Sequence, residues 1–102
     1  MGDSEHVLGW LQGWYAAQCD GDWEHERGVR IDTLDNPGWS VRIDLAETDL
    51  AEREHPGRDV HRAPHDWVRV WTSEKAFHAV CGPGNLGEAL TLFRAWAGAG
   101  TA

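Results

Sequence analysis

The 102-residue sequence holds no apolar run approaching the roughly 20 residues that a membrane-crossing helix needs. It has only two cysteines, Cys19 and Cys81. So few suit reduced thiols, with a single disulfide as the lesser alternative. It also lacks a basic excess: 9 Lys and Arg face 17 Asp and Glu, a formal net charge of −8. A nucleic-acid binder needs a basic face to displace counterions from phosphates, and this balance argues against that class. Internal repeats and low-complexity tracts are absent, as are a phosphate-binding glycine loop, a nucleophile elbow and a dinucleotide fingerprint. Met1–Glu5 is acidic where a signal peptide would be basic, so the expected location is the cytoplasm.

What is present is acid, tryptophan and enough apolar residues for a core. The apolar fraction is 41%. A chain of this length is expected to form a single domain spanning 1–102 and to bury roughly two-thirds of its unfolded surface. The charge is unevenly placed. Residues 1–51 carry 11 acidic and 3 basic side chains, whereas residues 52–102 carry 6 of each. An acidic field suits a basic partner, whose approach it accelerates; the plainer reading is that it keeps the protein in solution. The 7 Trp in so short a chain are the second feature to explain.

Asp3 or Ser4 can cap a first helix running to about Gln18. Val7, Leu8, Leu11, Trp14, Tyr15 and Gln18 follow the spacing of one helical face, with Trp10 on its flank. Gly9 and Gly13, four apart, offer room for another element to approach. Gly21 is placed to end the helix in a left-handed conformation. The acid-rich stretch Asp20–Glu26 reads as a loop. Gly28–Leu34 and Trp39–Leu45 alternate around the Asp35-Asn36-Pro37-Gly38 turn and predict a β-hairpin. Trp39, Val41, Ile43 and Leu45 point inward, and Arg30, Asp32, Arg42 and Asp44 point outward.

Glu47–Glu54 is charged and poor in apolar residues, and Pro56-Gly57 breaks whatever precedes it. Arg58–Arg62 reads as a short polar edge strand centred on Val60. Trp67–Thr72 and Ala76–Cys81 predict a second hairpin around Ser73-Glu74-Lys75. Asn85 is placed to cap a last helix, with Glu88 in the capping-box position. Leu86, Ala89, Leu90, Phe93, Trp96 and Ala97 form its apolar stripe, and Ala99–Ala102 should fray. The expected fold is α+β: an antiparallel sheet of four to five strands in a meander, with N- and C-terminal helices packed on one face.

Several clusters could carry chemistry. Asp20, Asp22, Glu24 and His25 could ligate a cation, but their spacing matches no calcium loop, and a solvated acidic loop anchored by Trp23 is the simpler reading. His55, His61 and His65, with His78, lack the cysteine pair or helical His-Glu-x-x-His of a zinc site. Cys19 and Cys81 invite a nucleophile reading with His25 or His78 as base, yet a helix C-terminus is the wrong setting for a thiolate at Cys19, and a small buried thiol is the simpler reading of Cys81. Trp67 and Trp71 alternate with Val68 and Val70, so one set must face away from the helices. With Arg69 between them, the two Trp would form a platform for a protein partner or a sugar ring. No metal and no cofactor is expected, nor any catalytic residue.

With these residues laid out, the sequence resembles the Immunity protein 53 family of bacterial polymorphic-toxin systems. The resemblance is carried by Trp10-Leu11-Gln12-Gly13-Trp14-Tyr15, Cys19-Asp20-Gly21-Asp22-Trp23-Glu24-His25 and Thr33-Leu34-Asp35-Asn36-Pro37-Gly38-Trp39. It continues in Ile43-Asp44-Leu45, Asp66-Trp67, Gly82-Pro83-Gly84-Asn85-Leu86 and Phe93-Arg94-Ala95-Trp96, and is weakest over residues 46–65. It implies a cytosolic protein that binds and neutralises a cognate toxin, for which a basic nuclease is a candidate. The expected partner-binding residues are Asp20, Asp22, Trp23, Glu24 and Glu26, with Asp32, Asp44, Trp67 and Trp71. The alternatives are a small metal-dependent or thiol enzyme using Cys19, Asp22, Glu24 and His25, or a carbohydrate-binding module using Trp67 and Trp71.

Overall fold

The computed structural model describes residues 3–99, and the side chains of residues 6–98. Helix α1 spans Asp3–Gln18, a single helical turn α2 spans Trp23–Glu26, and strands β1 and β2 span Val29–Leu34 and Gly38–Asp44. Strands β3, β4 and β5 follow at Arg58–Ala63, Asp66–Ser73 and Ala76–Cys81, and helix α3 closes the chain at Leu86–Ala99. The acid-rich stretch is therefore not wholly a loop. The cap expected at Asp3 or Ser4 and the fraying of Ala99–Ala102 lie outside the described side chains.

The class is α+β as expected, with five antiparallel strands and terminal helices, but the sheet is not an unbroken meander. Its order is β1-β2-β5-β4-β3. Two local units, the β1–β2 hairpin and the β3-β4-β5 meander, are zipped together by β2 against β5. Residues 45–57 make this possible by carrying the chain from the middle of the sheet to its far edge. They pack as they go: Leu45 and Leu50 are buried, and the Leu50 amide donates to Thr48 Oγ1 at 3.0 Å. The Arg53 guanidinium then donates to the carbonyls of Trp96 and Ala97 in the last turn of α3, where exposed carbonyls favour a cation.

Residues paired directly across neighbouring strands share a face. Val41, Ala79 and Val70 stand side by side, as do Ile43 and Phe77. That face carries the core, capped by Val7 and Leu11 of α1 and Ala89, Leu90 and Phe93 of α3. Phe93 is the hub, with ring centroids 4.9 Å from Phe77, 5.3 Å from Trp14 and 5.6 Å from Trp10. Phe77 and Phe93, both fully buried, each contribute about 2–3 kcal/mol relative to exposure.

The expected close approach at Gly9 and Gly13 does not occur, because nothing lies within 4 Å of a Cβ built at either position. Both face solvent. Glycine is instead demanded at Gly38, where a Cβ would collide with the Cys81 carbonyl, and at Gly82, where it would meet the His65 carbonyl. The start of α3 also differs from a simple capping box. Asn85 Nδ2 donates to Asp66 Oδ1 at 2.9 Å and to Glu88 Oε1 at 3.0 Å, and Arg62 pairs with both carboxylates. The Asn85 side chain therefore does not cap α3 as expected: its Oδ1 accepts the Trp67 amide instead of a helix amide, and the cluster ties α3 to the β3–β4 turn.

Candidate partner-binding site

The Asp20–Glu26 turn is built by its own carboxylates. Asp20 Oδ1 accepts the amides of Asp22 and Trp23, each at 2.9 Å, while Glu24 accepts those of Asp20 at 3.0 Å and Gly21 at 2.9 Å. Gly21, at φ +98°, supplies the reversal after α1 that an L side chain resists. These amide donors favour the ionised acids, so the Asp20 carboxyl sits below its usual range, through the Trp23 and Asp22 amides. Glu24 is lowered likewise, foremost by its own amide. Trp23 locks the turn to the body: its indole is buried and Nε1 donates to the Ala46 carbonyl at 2.9 Å.

Two of the four turn carboxylates are thus engaged in holding the turn. The side chains of Asp22 and Glu26 carry no hydrogen bond or ion pair among the described residues and lie exposed. Beside them runs a groove of about 550 Å³ between α1, the turn and β1, lined among others by Leu8, Tyr15, Glu24, Glu26, Val29 and Arg30. Asp44 reaches its edge but is occupied. Its Oδ2 accepts the Gly28 amide at 2.9 Å and its Oδ1 pairs with Arg42 at 3.2 Å.

The groove has an apolar flank that the helical spacing hid. Leu8 and Tyr15 fit the core stripe of α1, yet they remain 46% and 38% exposed, and Ile31 on β1 is 37% exposed. The buried stripe is narrower, centred on Val7 and Leu11 with Trp10 and Trp14 packed beside them. β1 is an outer strand, so Ile31 lies on the core side of the sheet but beyond the helices' cover. Leu8 and Tyr15 stand seven apart, two turns up the same flank of α1, the one signal in the sequence that they act together.

Asp32, Trp67 and Trp71 lie elsewhere, on the open sheet face. Asp32 lines a separate concavity with Arg30, Arg42, Trp71 and His78. Trp71 is half-buried and already engaged: His78 stacks on it at 5.2 Å and 16°, and the Arg69 guanidinium sits 5.3 Å from its ring centre. Trp67 stands two positions beyond Arg69, opposite His61. Trp67, like Trp71, is half-buried. The open face is charge-mixed, with Arg30, Arg42 and Arg69 among Asp32, Asp44 and Asp59. The strongest acid concentration is therefore the turn.

The histidines that suggested a metal site are dispersed. Among the described residues, no three His, Cys, Asp or Glu side chains come together as a metal-holding group. His55 packs against Phe77 and Trp96, His61 lies on β3, and His78 bonds Ser73. Both cysteines are free thiols. Burial pushes Cys81 up to about 11, and Cys19 Sγ donates to the Tyr15 carbonyl at 3.4 Å.

The family model of Immunity protein 53 matches residues 8–98. The chain belongs to the Immunity protein 53 family. Neither the curated proteins nor the solved structures hold a match to it. Membership of an immunity protein family suggests a toxin-neutralising role, that of a binding protein and inhibitor rather than an enzyme. The matched span takes in the acidic turn, both flanks of the groove and all five strands of this Immunity protein 53 domain.

Proposed function

We propose that the chain neutralises a cognate bacterial toxin in the cytoplasm by occluding it, and that the toxin docks on the acidic turn and the adjoining groove. The observation that carries this reading is the pairing of two unengaged carboxylates, Asp22 and Glu26, with exposed Leu8 and Tyr15 beside a groove of about 550 Å³. A rigid acidic turn steers a basic surface toward itself, and the apolar flank slows its departure. A nuclease, whose cleft must attract phosphates, is the toxin class such a surface fits. Asp20 and Glu24 act in support by fixing the turn, and Trp23 anchors it.

The test uses a cognate toxin domain, sought first among the genes neighbouring this one. Asp22→Lys with Glu26→Lys should slow association about tenfold or more at low salt and flatten its salt dependence. Leu8→Ala with Tyr15→Ala should chiefly speed dissociation. Unchanged kinetics in both double variants would move the site elsewhere. Absence of any complex, with no protection of cells that make the toxin, would remove the function itself.

A further inference from the structure

The sheet has two outer strands, and only one is defended. β3 is polar and exposed, carries Arg58, Asp59 and Arg62, and its register shifts between His61 and Ala63. An irregularity of that kind hinders an edge from recruiting another strand. β1 has a regular register along its whole length, and its exposed Ile31 lies on the core side of the sheet. The Asp44 amide donates to the Gly28 carbonyl at 3.0 Å. In an antiparallel ladder the bonding residues alternate, so Arg30 and Asp32 direct their backbone groups toward β2. The N–H and C=O groups of Val29, Ile31 and Thr33 therefore point out of the sheet.

The charges along this edge are antisymmetric about Ile31. Arg27 and Arg30 precede it by four and one positions, and Asp32 and Asp35 follow it by one and four. Arg27 leaves α2 in extended conformation, at φ −129° and ψ 166°, which continues the line of β1, and its buried Nε has no hydrogen-bond partner. Within the chain, Arg30 stands opposite Arg42, and Asp32 opposite Ser40. Neither Arg30 nor Asp32 has an ion pair among the described residues, and like charges directly across a ladder repel.

We propose that this edge is an interface for a second copy of the same chain, paired antiparallel about a two-fold axis through Ile31. That register sets Arg30 against Asp32 of the second copy, Arg27 against its Asp35 and Ile31 against its Ile31, and each contact occurs twice by symmetry. Val29 and Thr33 exchange backbone hydrogen bonds across the axis, as the two Ile31 do, so the outward groups of β1 are satisfied. The axis is perpendicular to the sheet, so the helices of both copies lie on one side of a continuous ten-stranded sheet. A net charge of −8 on each copy opposes association in general, and the local antisymmetry is what selects this single register. The paired segment leaves Asp22 and Glu26 outside it but takes in Arg27, Val29 and Arg30 of the groove's β1 wall, so a second copy and a toxin compete for that wall.

The experiment measures self-association of the full chain by light scattering and sedimentation across a dilution series. The wild type should show a concentration-dependent dimer. Arg30→Asp and Asp32→Arg should each weaken it about tenfold, since each turns two cross-strand attractions into repulsions. An equimolar mixture of the two variants should recover a mixed dimer, visible by native mass spectrometry, because the remaining charges then complement one another. Both positions are exposed, and circular dichroism confirms that each variant is folded. A wild type that stays monomeric throughout, single variants that dimerise as well as the wild type, or a mixture that does not recover would each overturn the proposal.

Discussion

Gly38 has space for a hydrogen and for nothing larger, since a Cβ there runs into the Cys81 carbonyl across the ladder. The contact is with backbone on the neighbouring strand, so relief requires β2 and β5 to part. Gly38→Ala should cost about 2–3 kcal/mol, seen as a lower urea midpoint at unchanged slope. His55 shows the opposite kind of constraint. It is held between Phe77 and Trp96, and its Nδ1 accepts the Gly57 amide at 2.9 Å. Burial first, and the nearby Arg58 charge second, hold its pKa below the usual value. Folding therefore favours the neutral ring, whereas the unfolded chain takes up a proton near pH 6.5. Its contribution is complete above that value and is lost as pH falls through the unfolded pKa toward the folded one. His55→Asn keeps an acceptor for Gly57 without titrating, so stability curves of the variant should fall less steeply than wild type as pH drops below about 6.5.

At the scale of elements, the β4–β5 hairpin closes with a two-residue loop in which Glu74 and Lys75 both adopt left-handed backbone, φ 54° and 57°. Such loops match the twist of the strands but favour Asn-Gly, because a side chain strains this conformation. Replacing the pair with Asn-Gly should stabilise the protein by about 1–2 kcal/mol and raise its melting temperature, read by calorimetry. Among the described residues, the side-chain interaction lost is an exposed Lys75–Glu52 ion pair at 3.2 Å, of the kind that contributes little. Turn sequences make such hairpins legible in advance: Asp35-Asn36-Pro37-Gly38 marked the first and Ser73-Glu74-Lys75 the second, and both lie where the alternation put them. The one-turn helix α2 was not legible, because its four residues are fewer than a hydrophobic period needs to register.

Across the whole molecule, the Arg62, Asp66, Asn85 and Glu88 cluster links the β3–β4 turn to the start of α3, so the edge of the sheet and the second helix hold each other. Arg62 lowers the pKa of both carboxylates, with Asn85 assisting. Asn85 is 7% exposed, so removing its amide leaves the cluster without its buried donor. Asn85→Ala should cost about 1–2 kcal/mol, and hydrogen exchange should quicken at the first turn of α3 before it does in β5. Charge follows a different geography. The excess acid of residues 1–51 is densest on the Asp20–Glu26 turn, whereas the two outer strands each carry charges of both signs.

The sequence alone determined the five strands and the two long helices, because the two-residue and 3.6-residue periods and the turn residues act over a few positions of chain. It also located the acidic turn, which is contiguous. What only the tertiary structure decided depends on contacts between distant segments. That β2 pairs with β5 follows from where residues 45–57 carry the chain, and no local pattern encodes that path. The exposure of Leu8, Tyr15 and Ile31 follows from β1 being an edge that the helices do not fully cover, although all three fit a core stripe in one dimension. Trp71, which alternation could only place on one face or the other, is half-buried against His78, a partner brought alongside by the β4–β5 register.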